Sequence, residues 1–166
     1  LREGFFAEAV DALTTLITQY PQDARAALAH FLRGDAYLGL SRWAEAIADF
    51  QHYLASRPGL IDSYAHERIG DAQLALGMRY LEGDGVIKNE TEAAKWFAQA
   101  ARQGVLEAQY RYGLALLQGR GVVQDYKAAF GWIEKPALRG YAPAQYSLGE
   151  LHRYGTGTPI DKARAY

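Results

Sequence analysis

Three Gly-x-Gly turns, Gly83-x-Gly85, Gly119-x-Gly121 and Gly155-x-Gly157, are the first places to look for chemistry, because glycine-rich backbone can cradle a phosphate. None carries a lysine at the spacing of a nucleotide-binding loop and none follows a strand pattern, so they read as turns between helices. The four histidines, His30, His52, His66 and His152, are far apart in sequence and show no HExxH or other ligand spacing. Neither a metal site nor a general base is expected from them. Glu67 and Asp71 share a helix face at i, i+4, yet no second group for acid–base work accompanies them, and a solvated face is expected. Asn89-Glu90-Thr91 is a formal glycosylation sequon, but Asp125 and Asp161 stand at the parallel positions, which marks Asn89 as a helix cap. The absence of cysteine excludes disulfide and thiolate chemistry. No catalytic residue, metal or cofactor is therefore expected.

The elements that carry these turns repeat. A common register recurs every 36 residues through Ala72, Ala108 and Ala144. Gly77, Gly113 and Gly149 share it, as do Ala93, Ala129 and Ala165, and Trp96 and Trp132. A fixed period of this size signals a solenoid of stacked units. Within each unit the apolar spacing predicts two helices: Tyr110, Leu114 and Leu117 mark one, and Ala129, Phe130, Trp132 and Ile133 the other. The first glycine of each turn suits the left-handed position after a helix, and Asn89, Asp125 or Asp161 suits the N-cap of the next. Asn89 with Glu92 resembles a capping box. Gly77, Gly113 and Gly149 lie inside helices at a cost of about 1 kcal/mol each against alanine, which predicts close helix contact with the tryptophans filling the space beside it.

The frame A-x-x-x-[LY]-G, G-x-G, an N-cap Asn or Asp and A-x-x-W resembles the Sel1-like repeat over 72–166, as units 72–107, 108–143 and a partial 144–166. Leu116 and His152 depart from it where Tyr80 fits, and Pro136 replaces the Ala100 of the preceding unit. A proline there predicts a kink or early end near Trp132 to Lys135. Residues 1–71 resemble tetratricopeptide repeats. The first, through Gly4, Phe6, Ala9 and Pro21, lacks its first helix; the second, over 27–58, carries His30 and Arg33 where that family favours large apolar residues. Gln22 to Ala26 reads as a linker, and 61–82 as one long helix joining the two repeat types, with a hinge at Gly70 or Gly77 as the alternative. Phe5, Phe6, Val10 and Leu13 have no preceding helix to cover them, and the chain stops at Tyr166 a turn into a second helix, so both ends read as cuts through a longer array.

The fold class expected is thus an all-α, right-handed α-solenoid of antiparallel helix pairs. Hydrophobic residues at 49%, charged residues at 22% and a net charge of −1 describe a folded chain with no electrostatic pull toward nucleic acid. No apolar run reaches the roughly 20 residues of a membrane span, so direct membrane insertion is not expected. The resemblance implies a non-catalytic scaffold that holds a protein or peptide partner within a larger assembly, with self-association through uncovered ends as a further route. It favours a bacterial periplasm or cell envelope and leaves the cytoplasm open. In such repeats the first helix of each pair lines the concave groove, which by that resemblance falls on Leu28, Phe31, Leu32 and Asp35; on Tyr64, Glu67, Arg68 and Asp71; on Glu107, Tyr110, Arg111 and Leu114; and on Tyr146, Ser147 and Glu150. Two other readings stand beside it. One is the helical region of a larger enzyme such as a cell-wall lytic transglycosylase, and the other is glycan binding by Tyr110 and Tyr146.

Overall fold

The computed structural model describes residues 2–56, 59 and 61–160. Among them are eight helices and no strand: α1 (Arg2–Gln19), α2 (Ala24–Gly39), α3 (Trp43–Ser56), α4 (Asp62–Glu82), α5 (Glu90–Arg102), α6 (Leu106–Gln118), α7 (Tyr126–Leu138) and α8 (Ala142–Tyr154). The chain forms two compact units, Leu1–Ala75 and Leu76–Tyr166. The boundary falls inside α4, which is a single helix of 21 residues through Gly70 and Gly77. Asp161, Ala165 and the expected second helix near Tyr166 lie outside the described residues, as does Pro58.

In the first unit, Asp23 starts α2 by accepting the Arg25 backbone N–H at 2.8 Å. The helix therefore begins within the stretch expected to be linker. Phe31 packs its ring against Phe50, Tyr53 and Tyr64, with centroids 5.3, 5.4 and 5.8 Å away. Ala46 and Phe50 are fully buried. Gly34 admits the Phe50 ring where a Cβ would stand only 2.8 Å from it. Val10 is buried, and the Phe6 ring lies over Gly39, so these two are covered by the helix that follows them; Phe5 stays 68% exposed.

In the second unit the repeat register has a physical reason at each point. Ala108 and Ala144, like Ala72 near the end of the first unit, are fully buried, leaving no room for a larger side chain. A Cβ on Gly77 would meet the Phe97 ring, and one on Gly113 would stand 2.7 Å from Ile133 Cγ1. The residue filling the space beside the helical glycines is thus Phe97 or Ile133, one position after the tryptophan expected there. Trp132 instead sets its ring edge-on to Tyr112 at 5.5 Å, under the Lys135 ammonium. Gly119 and Gly155 take the left-handed conformation at the ends of α6 and α8.

Asn89 caps α5 by accepting from Thr91 and Glu92, and Asp125 caps α7 by accepting from Ala128. The Glu92 carboxylate does not close a capping box; it pairs with Lys95 at 2.6 Å. The cap N–H it would have accepted is already taken, because Asn89 donates to the Tyr80 carbonyl and Asp125 to the Leu116 carbonyl. A backbone acceptor explains why Leu116 can replace tyrosine at this point of the repeat. Pro136 does not end α7 early. The helix runs to Leu138, the ring is fully buried, and the Pro136 carbonyl accepts from Arg139 and Tyr141 in the closing turn. Only the one intrahelical bond that Pro136 cannot donate is lost, close to where helical bonding stops anyway.

Candidate functional site

The first unit gathers its predicted contacts on one face. Arg68, on α4, stands 3.3 Å from the Asp35 carboxylate of α2 and 4.8 Å over the Tyr64 ring. Glu67 and Asp71 stand one and three residues from it on the same helix. Burial pushes the Asp35 carboxyl up, with Arg68 opposing; burial and then Glu67 push Asp71 up, again against Arg68. Leu28 and Leu32 are about half exposed on α2. Phe31 is different: it is only 6% exposed and committed to the core.

The second unit presents α6 and α8. Arg111 is held by Glu107, one turn earlier, at 2.7 Å. Tyr110 and Ser147 hydroxyls lie 3.1 Å apart, and the Tyr110 ring packs 5.7 Å from Tyr141. Burial, then Glu107, pushes the Tyr141 phenol up. Tyr146 is 75% exposed, while Glu150 sits 3.8 Å from Arg153. Leu114 lines a cavity between α5 and α6 together with Arg111.

Sequence spacing missed one cluster. His30 and His52, 22 residues apart, bring their rings within 4.1 Å. His30 Nδ1 donates to Asp49 Oδ1 at 2.8 Å, and Arg33 spans the same carboxylate with two bonds of 2.7 and 2.8 Å. Arg33 also donates to Thr14. The two departures from the repeat pattern, His30 and Arg33, thus share one buried acid, and the signal was the apolar register broken at both and at Asp49. Among the described residues no group of three or more His, Cys, Asp or Glu could hold a metal ion, and no helix is long and apolar enough to cross a membrane.

Helix pairs joined by left-handed glycine turns and packed on buried alanines in a 36-residue register define an all-α repeat protein of the solenoid class. The Sel1 repeat matches residues 70–105, 106–141 and 142–166, starting each unit two residues before the marked alanines, close to where α6 and α8 begin. The chain belongs to the Sel1 repeat family. A Sel1 repeat protein from Oxalobacter formigenes is similar over 63% of this chain and 80% of its own, at 38% identity and a TM-score of 0.54. A protective antigen present in uropathogenic Escherichia coli strains, displaying an SLR fold, is similar over 94% of this chain at 23% identity and a TM-score of 0.60. This chain spans 31% of that antigen's length. No curated protein matches. Sel1-repeat proteins are in general protein-interaction scaffolds and typically non-catalytic.

Proposed function

We propose that this chain is a scaffold that holds a protein or peptide partner on the exposed faces of α4 and of α6 and α8, the first helices of successive pairs. The observation that supports this best is that the Arg and Tyr side chains there already meet their neighbours: Arg68 lies over the Tyr64 ring and 3.3 Å from Asp35, though without a hydrogen bond to it, Arg111 is paired with Glu107, and Tyr110 with Ser147. Arg and Tyr are the residue types that dominate binding energy at interfaces. Holding them before a partner arrives lowers the ordering entropy lost on association. Phe31, being core, drops out of the contact surface. Asp35, Tyr64, Glu67, Arg68, Asp71, Tyr110, Arg111, Leu114, Tyr146 and Glu150 remain in it.

Affinity capture from the native source, read by mass spectrometry, tests this with a Tyr146→Ala/Arg111→Ala variant alongside. Tyr146 is the better probe than Tyr110, because its ring is mostly exposed, whereas Tyr110 pairs with Ser147 and packs on Tyr141. A partner retained by the wild type and lost by a variant of unchanged helicity is expected. Retention of the same partner by both would move the interface off this face.

A further inference from the structure

A cavity of about 230 Å³ beside Arg111 is lined by Leu81, Ala93, Ala94, Phe97 and Ala115. Gln118 and Arg120, both exposed, line it as well. The repeat register tells what normally occupies this space. One unit further on, 36 residues later, Leu81, Ala94, Phe97 and Ala115 become Leu117, Phe130, Ile133 and Leu151. Those four residues pack together in one hydrophobic cluster. The Phe130 ring stands edge-on to His152 at 5.3 Å, and its Cβ lies 3.2 Å from where a Cβ on Gly157 would be.

Ala94 and Ala115, both in the second unit, thus stand at two positions whose counterparts 36 residues later are phenylalanine and leucine. Phe97 is larger than Ile133, but one edge of its ring lies against Gly77, so it borders the gap without filling it. What is missing between α5 and α6 is a phenyl ring with its neighbouring methyl groups. An apolar lining of this kind favours an apolar guest that brings the same contacts. Glu90, Arg111 and Arg120 lie around it, and Arg111 is already neutralised by Glu107, so no net charge selects an ionic guest.

We propose that this cavity receives a phenylalanine-like aromatic side chain from the partner polypeptide, inserted where Phe130 fills the equivalent place in the next repeat. The inference rests on the scaffold reading and gives the partner its chemistry: an exposed aromatic anchor that lands next to Arg111 and Leu114.

The test titrates the isotope-labelled chain with N-acetylphenylalaninamide and, separately, N-acetylalaninamide, following backbone amides by NMR. Saturable shifts at 93–97 and 111–118 are expected with the phenyl probe only. Ala94→Phe, which builds the sibling's own side chain into the gap, should weaken that binding at least about tenfold while the fold is kept or made more heat-resistant. Ala115→Leu supplies the second occupant and decides the matter should Ala94→Phe fail to fold. Equal shifts from both probes, no saturation at millimolar probe, or unchanged binding in a folded filled variant overturns the proposal. A bound probe with no partner retained in the capture experiment would uphold the cavity and sink the scaffold reading. A partner retained equally by wild type and Ala94→Phe would do the reverse.

Discussion

The helix pair α2–α3 and the pairs of the second unit meet the same requirement, close approach of two helices, with different materials. Gly34 admits the Phe50 ring, just as Gly77 admits Phe97 and Gly113 admits Ile133. Beside these glycines the second unit uses alanine almost throughout, as at Ala93, Ala108, Ala129 and Ala144. The first unit also buries alanines, among them Ala46, Ala65 and Ala72, but adds an ionic cluster: Asp49 at 5% exposure, held by Arg33 and His30. An apolar interface tolerates any partner of the right volume, whereas a buried carboxylate tolerates only the donors that satisfy it. The first unit is thereby specified by pairing and the second by shape.

The strongest way to break this contrast is Asp49→Ala. It strands the largely buried guanidinium of Arg33, whose side chain is only 16% exposed, and should cost about 3–5 kcal/mol in urea unfolding followed by circular dichroism. The triple replacement His30→Leu/Arg33→Leu/Asp49→Leu, which restores an apolar register, should return to within about 1 kcal/mol of the wild type or exceed it. A cost below about 1 kcal/mol for Asp49→Ala alone would show the cluster to be ornamental to the fold.

The second unit predicts its own graded series at the second glycine of each turn. Gly121 holds φ +69° and a Cβ there would collide with the Glu90 backbone carbonyl at the start of α5; Gly157 meets the Tyr126 carbonyl at the start of α7 in the same way. Gly85 has the same φ, +67°, yet its Cβ would meet only the end of the Arg79 side chain, which can move. Gly121→Ala combines backbone strain and collision and should cost about 3 kcal/mol, while Gly85→Ala should cost about 1–2 kcal/mol, the strain alone. Equal losses in thermal unfolding would mean that the loop-to-helix contact does not set the spacing of the repeats.

Period, turns and caps were legible in the sequence because each is a local demand: a left-handed residue after a helix, an oxygen at the next start, a fully buried alanine every 36 positions. The long α4 was legible for want of a proline between Ile61 and Glu82. The residues that misled are those whose role is set by a neighbour distant in sequence. Phe31 has the position of a surface contact, yet Phe50 and Tyr53 claim its ring. Trp132 has the size to fill a gap, but the direction of its helix face gives that place to Ile133. Pro136 breaks a rule of helix interiors without consequence, because it stands in the last turn. His30 and Arg33 each read as a flaw alone, and only their convergence on Asp49 makes them a set. The cavity at Ala94 is of the same kind: an alanine at a helical position signals nothing until Phe130 shows what the space can hold.

The smallest effect sharpens the comparison on its electrostatic side. Asp35 and Asp71 lie in the same unit as the paired Asp49, but the packing around them raises both carboxyls above the usual range, with only Arg68 to offset it. In the folded chain these groups hold their protons more tightly than in the unfolded chain, where the value is about 3.9. Between that value and the raised one the folded state binds more protons, so their contribution to stability falls as pH rises through that window and is an unfavourable one at neutral pH. Asp71→Asn, which removes the charge and its repulsion from Glu67, should therefore raise the melting temperature slightly at pH 7 and leave it unchanged near pH 3, where the wild-type group is protonated in both states. A variant less stable than the wild type at pH 7 would mean that Arg68 outweighs both the packing and Glu67. The face around Arg68 would then be satisfied in the free protein, with no electrostatic strain for a partner to relieve.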